Sequence, residues 1–280
     1  MVVATRTLQL GHSPDSDDAF MFYGLASGAV REEGLEFQHI LKDIQTLNQW
    51  AMRGKLEITA ISVHAYAYVW QRYAILTHGA SMGRDYGPLL VAKESIEPRR
   101  LKGKRIAIPG KLTSAYLGLR LYLPEFEEVV IPFDQIMEEV EAGRVDAGLL
   151  IHEGQLTHSE HGLVKVWDMG EWWQRETGLP LPLGINVVRQ DLGPDLMRRV
   201  SRLLKQSIAH GLEHRARALD YALQFARGME RRTADTFVGM YVNDLTLDMG
   251  HDGQLAIQLL LERGLAAGLL PRLPQIEWVS

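Results

Sequence analysis

The chain has 280 residues, is 46% hydrophobic and carries a formal net charge of -5. That length and apolar content support a sizeable core in one large domain or two ordinary ones, and no basic stripe with interleaved aromatics marks a nucleic-acid surface. Cysteine is absent, which excludes disulfides, thiolate metal sites, a cysteine nucleophile and a lipid-anchored N-terminal cysteine.

The N-terminal ten residues lack a basic region leading into a long apolar run, and no stretch reaches the roughly 20 apolar residues of a membrane span. A cytoplasmic protein without membrane insertion is the expectation. In chain order, residues 8–10 suit a strand, 13–18 a turn and 19–26 a helix. Residues 35–41 read as strand, 44–53 as helix, 56–62 as strand and 63–71 as helix. This βαβα rhythm predicts an α/β fold with a largely parallel sheet.

A second cycle begins near residue 101. Residues 105–108 form a buried-strand pattern ended by Pro109-Gly110, and 113–122 has helical composition. Residues 129–131 suit a strand, 133–142 a helix, and 145–151 a strand leading into His152. Residues 178–184, with recurring proline between glycines, read as an extended crossover. Helices follow over 194–228, 232–241 and 253–263, with Pro194 suited to a first helical turn and His210-Gly211-Leu212 a candidate break. The layout predicts two lobes, one from 1–95 with 187–280 and the other 96–186, around a central ligand cleft.

Three strand ends carry candidate chemistry. The apolar run ending in His152 puts at a strand end the side chain best suited to proton transfer near neutral pH. A lone histidine there is more often structural. Thr113, Ser114 and Ala115 open a helix after a strand and a glycine, where first-turn N–H groups and the helix dipole attract an anion. The plainer reading of the two hydroxyls is capping. Ser62 ends a third strand, either as an N-cap or as a ligand group. Ligands of open α/β sheets bind beyond the carboxyl ends of strands, so the common position of these residues favours function.

Other motifs fail. Pro109-Gly110-Lys111-Leu112-Thr113 is not a P-loop, because Leu112 intervenes and Arg105 stands where its first glycine belongs. His152-Glu153 is followed by Leu156 where a zinc protease needs histidine. Asp15, Asp17 and Asp18 suit a helix N-terminus and lack the glycine and glutamate of an EF-hand loop, so no metal is expected. Trp172-Trp173 reads as packing, with an aromatic wall for a ring-shaped ligand as the alternative.

Four segments together resemble the 1,4-dihydroxy-6-naphthoate synthases of the futalosine route to menaquinone. They are Ser13-Pro14-Asp15-Ser16-Asp17-Asp18-Ala19-Phe20, Ile151-His152-Glu153-Gly154, residues 178–184 and the run from Tyr241 to Gly250. The resemblance implies a two-lobed type II periplasmic-binding-protein-like fold used as an enzyme without a cofactor. It implies cyclic dehypoxanthinylfutalosine as small-molecule substrate, His152 as proton acceptor, and Ala60, Ile61, Ser62, Ser114 and Ala115 as binding residues. Relatives often read Ser-Pro-Cys-Pro-Asn-Asp at the first motif, so no contact is carried over to Asp17; Thr113 and Asp18 are further candidate site residues, and whether Asp18 or Arg84 touches the ligand is open. Two alternatives stand: a non-catalytic solute-binding protein of the same fold, and the chorismate dehydratase of the same pathway. Oligomeric state is open.

Overall fold

In the computed structural model, which describes residues 5–225 and 230–280, strand and helix alternate from the start. The order is β1 (Arg6–His12), α1 (Ser16–Met21), α2 (Tyr23–Ala26), β2 (Leu35–Leu41), α3 (Ile44–Met52), β3 (Ile58–Ser62), α4 (Val63–Val69), β4 (Tyr73–Leu76), β5 (Ser81–Gly83) and β6 (Leu89–Ala92). Then come β7 (Arg105–Ile108), α5 (Ser114–Tyr122), β8 (Glu127–Val130), α6 (Ile136–Glu141), β9 (Ala147–Leu150), α7 (Gly154–Thr157), β10 (Val164–Asp168), α8 (Met169–Thr177) and β11 (Leu181–Arg189). The rest is α9 (Pro194–Glu213), α10 (Arg215–Ala222), α11 (Arg231–Tyr241), α12 (Asp244–Leu247), α13 (Gly250–Ala266) and β12 (Trp278–Val279).

Two compact units emerge. The first comprises Met1–Ser81, Gly184–His251 and Pro274–Ser280, and the second Met82–Leu183 and Asp252–Leu273. The sequence reading placed all of 187–280 in the first lobe, whereas 252–273 groups with the second unit. The second unit also begins at Met82, ahead of the expected 96.

The first unit is built on a sheet of order β12-β4-β11-β3-β1-β2, with β5 added to β11. β1 runs parallel to β2 and β3, while β11 returns antiparallel between β3 and β4. The expected largely parallel sheet is therefore mixed. The alternating burial of β1 turns Leu8 and Leu10 into a core shared with Phe20 and Met21 of α1 and with Val200, Leu204 and Ile208 of α9. α9 passes straight through Gly211, the expected break, and ends at Glu213. Glycine is there for close approach: a Cβ would lie 3.0 Å from the Phe20 carbonyl oxygen. The end of the helix expected over 194–228 falls on residues outside those described.

A second close approach lies between α2 and α9. Ser207 Oγ donates to the Met21 carbonyl (2.9 Å) and accepts from Leu25 N (3.1 Å), while a Cβ on Gly24 would stand 2.7 Å from Ser207 Cα. Backbone cannot yield as a flexible side chain can. Gly24→Ala is expected to destabilise by about 1–3 kcal/mol, the usual result of overpacking, measurable as a lower urea midpoint with an unchanged slope.

The second unit has the sheet order β10-β6-β9-β7-β8. β7 is parallel to β8 and β9, and β6 is antiparallel to β9 and β10, so this sheet is mixed as well. Leu89, Val91, Ala107, Ile136, Val140 and Leu150 form its core. Trp173 is fully buried in α8 and donates from Nε1 to the Pro180 carbonyl (3.0 Å), which supports the packing reading of Trp172-Trp173. Residues 133–135 form a single 3-10 turn before α6, where one continuous helix was expected.

Candidate active site

In the first unit the parallel strands β1 and β3 end side by side, with Leu10 opposite Ile58 and Gly11 opposite Thr59. Ser62 ends β3 and precedes α4, yet its side chain makes no capping bond. Its backbone N–H donates to Asn48 Oδ1 (2.8 Å), and its Oγ accepts from Asn48 Nδ2 (3.1 Å). Asn48 is fully buried on α3, whose start is fixed by Asp43 accepting from Thr46 N (2.9 Å). A two-point amide clamp thus sets the Ser62 rotamer and leaves its hydroxyl proton to be donated elsewhere. Ile61 is fully buried within β3, paired with Ile185, so its side chain has no face for a ligand. Ala60 offers only a methyl group, 6% exposed.

Asn48 was not legible as a site residue, since nothing in a helix interior signals a bond to a strand end fourteen positions later. Asn48→Ala strands the buried Ser62 N–H and is expected to lower stability by about 1–3 kcal/mol. Asn48→Asp keeps an acceptor for that N–H, and equilibrium urea melts of both variants should place it between Asn48→Ala and the parent.

At the end of β1, His12 Nδ1–H donates to the Ser13 carbonyl (3.0 Å), and Nε2 faces His39 Nδ1 at 3.1 Å. Burial, then the neighbouring His39, pushes the His12 pKa down to about 3, so His12 is a neutral imidazole. Asp18 accepts from Ser13 N (2.7 Å) and is 8% exposed. Burial, opposed by that bond and aided by Asp15, pushes its pKa up to about 7. Asp17 beside it is raised well above the carboxylate range by burial first, then by Asp18 and Asp15. A helix N-terminus ordinarily favours ionised acids; here desolvation prevails. Asp18 can therefore hold a proton close to neutral pH. Arg84, in the second unit, is exposed.

In the second unit α5 opens after β7. Thr113 is its N-cap, accepting from Tyr116 N (3.2 Å) and donating to the Gly110 carbonyl (2.8 Å), so the capping reading of this hydroxyl holds. Ser114 Oγ donates to the Leu183 carbonyl (2.6 Å), tying the helix start to β11. Ser114 and Ala115 are both buried, and what they bring to a ligand is the first-turn backbone.

His152 stands two residues beyond β9. Its ring does not project outward as the strand-end reading suggested: it is 5% exposed, and both nitrogens are engaged. Gly154 N–H donates to Nδ1 (2.8 Å), and Nε2 lies 2.9 Å from the Phe133 carbonyl oxygen. An N–H can only donate and a carbonyl only accept, so the ring is the neutral Nε2–H tautomer. The Phe133 ring meets the imidazole edge-on at 5.5 Å between centroids. Among the described residues no group of three or more His, Cys, Asp or Glu side chains could hold a metal ion, and no helix is long and apolar enough to cross a membrane.

Two mixed α/β sheets, each with strand ends that open into helices, make up a fold shared with periplasmic-binding proteins. The structure matches an alkanesulfonate-binding protein from Xanthomonas axonopodis pv. citri with a TM-score of 0.73 (14% identity, 97% of both chains). It matches a Candida albicans protein described as having the generic periplasmic-binding-protein fold at 0.70 (13% identity, 95% of this chain and 92% of that one). At such identities the likeness is one of fold. A sequence model of the menaquinone-biosynthesis family matches residues 8–266, and the chain belongs to that family. A 1,4-dihydroxy-6-naphthoate synthase from Thermus thermophilus is 41% identical over 270 residues, 96% of this chain and 98% of the relative. Its counterpart from Streptomyces coelicolor is 37% identical over 277 residues, 97% of each. A solved structure from Archaeoglobus fulgidus superposes with a TM-score of 0.91 at 45% identity, covering 94% of this chain and 98% of that one.

Proposed function

We propose that this chain is a 1,4-dihydroxy-6-naphthoate synthase, a carbon–carbon lyase that cleaves cyclic dehypoxanthinylfutalosine to 1,4-dihydroxy-6-naphthoate and dihydroxyacetone. The observation that carries this is near-complete alignment, at 41% and 37% identity, with two enzymes of that name. The site residues are part of the same proposal. His152 is the general base, Ser62 with the adjoining Ala60 and Ile61 backbone binds substrate, and the first turn of α5 at Ser114 and Ala115 holds a polar or anionic group by N–H donation.

His152 removes a proton from the sugar-derived ring, the ring opens, a carbon–carbon bond breaks, and the naphthalene becomes aromatic. Aromatisation supplies thermodynamic drive; the protein supplies positioning and a base. Asp18, able to carry a proton near neutral pH, is suited to donate a hydrogen bond to a substrate oxygen on which charge develops. A cytoplasmic location belongs to this reading.

The test is incubation of the purified protein with the cyclic substrate, following naphthalene absorbance and identifying the three-carbon product by mass spectrometry. Saturable binding without new absorbance would make it a solute-binding protein. Turnover of a chorismate derivative in place of the cyclic substrate would make it the pathway's dehydratase.

A further inference from the structure

We propose that Gly154 is a positioning residue that stows the His152 imidazole in a non-accepting rest state, from which the ring must swing before it can act as a base. This rests on the reading of His152 as the base. In the rest state neither nitrogen can take a proton. Nδ1 has its lone pair occupied by the Gly154 N–H at 2.8 Å, and Nε2 carries hydrogen toward the Phe133 carbonyl at 2.9 Å. Acceptance therefore requires the Gly154 bond to break.

The same geometry gives the rest state a chemical selectivity. Imidazolium carries N–H on both nitrogens, and a protonated Nδ1 would set its hydrogen against that of Gly154. Only the neutral ring fits. A ring that has accepted a proton cannot return to rest until the proton is passed on, so stowing is coupled to completion of the proton-transfer cycle. Glu153 Oε2 lies 4.0 Å from Nδ1 in the seated position.

Glycine at 154 is explained by space rather than by backbone conformation. Its φ is not among the positive values of the chain's glycines, and it opens α7 as an ordinary helical residue. A Cβ there would stand 2.6 Å from His152 Cε1, 3.0 Å from Nδ1 and 3.0 Å from Met137 Sδ. The added methyl would be held between the ring and the thioether, and the imidazole would have to leave. Alanine suits a helix better than glycine does, so Gly154→Ala is expected to fold.

The experiment is ¹⁵N NMR of the histidine side chains in the ligand-free parent and in Gly154→Ala, with the His152 signals assigned by their loss in His152→Asn. The parent should show a single neutral Nε2–H tautomer for His152. Gly154→Ala should show a tautomer mixture, and its kcat/KM should rise by about two- to tenfold, because the competent state is no longer a minor one. A tautomer mixture in the parent would overturn the proposal, as would an unchanged Nε2–H signal in Gly154→Ala. A freed ring with lower kcat/KM would also overturn it, since the seat would then be the working position. Should Gly154→Ala fail to fold, saturating 1,4-dihydroxy-6-naphthoate added to the parent should abolish the Nε2–H signature; its persistence counts against stowing. The base assignment is judged separately: near-parental turnover by His152→Asn would remove His152 as base, whereas the tautomer measurement judges the seat either way.

Discussion

His152→Asn is expected to lower kcat by about 10²–10⁴-fold while leaving the fold intact. General-base help is worth that range in rate, roughly 3–5 kcal/mol of transition-state stabilisation at about 1.36 kcal/mol per decade. The structural side of the substitution is mild. Asparagine's amide oxygen stands where Nδ1 stood and can accept the Gly154 N–H, while its NH₂ falls short of the Nε2 position, so the single bond to the Phe133 carbonyl is given up. What it lacks is a basic ring nitrogen able to accept a proton from the substrate. The expected signature is a fall in kcat with KM nearly unchanged, since an interaction made only in the transition state is removed. Product absorbance under saturating substrate reads kcat, and a thermal melt checks the fold. A variant that turns over at close to the parental rate, or that loses only substrate affinity, rejects the base assignment.

The parts of the site that could be read in the sequence are those whose signal is local. β3 is a short apolar run closed by the hydroxyl of Ser62, β9 is one that stops two residues short of His152, and α5 is preceded by Thr113, a residue type that caps helices, as it does here. The return strands were less legible. β4 and β6 are four-residue strands buried throughout, with no alternation to distinguish them from loop or helix. The extended crossover expected over 178–184 crosses from the second unit to the first at Leu183–Gly184, but β11 runs on to Arg189, and its pairing with β3 begins at Gly184, beyond Pro180 and Pro182. These antiparallel insertions turn the expected parallel sheets into mixed ones. Contacts that orient site side chains were not legible at all. Asn48 reaches Ser62 from a helix interior, and His152 reaches a carbonyl nineteen positions upstream. Each contact exists only once the chain has folded, and no spacing rule points to it.

Asp18→Asn is expected to stabilise the protein at pH 8 by about 2–4 kcal/mol and to change little at pH 4. Burial pushes the Asp18 pKa up to about 7 in the folded chain, against about 3.9 for an unfolded aspartate. The folded state therefore binds this proton more tightly than the unfolded state, and stability falls as pH rises from about 4 to about 7. Above that range the full penalty is present, about 4 kcal/mol for a shift of some three units at 1.36 kcal/mol each. Asparagine removes the buried charge and can still accept from Ser13 N through Oδ1, which takes over the 2.7 Å bond. It also relieves Asp17, which Asp18 pushes further above the carboxylate range. Urea unfolding of parent and variant at pH 4, 6 and 8 measures the effect. A stability difference independent of pH, or a less stable variant at pH 8, contradicts the assignment. The sign matters for function. An acid that weakens the fold at neutral pH, in the first turn of α1 beyond the end of β1, fits a group kept for chemistry rather than stability. The stabilised Asp18→Asn variant should accordingly be the less active one.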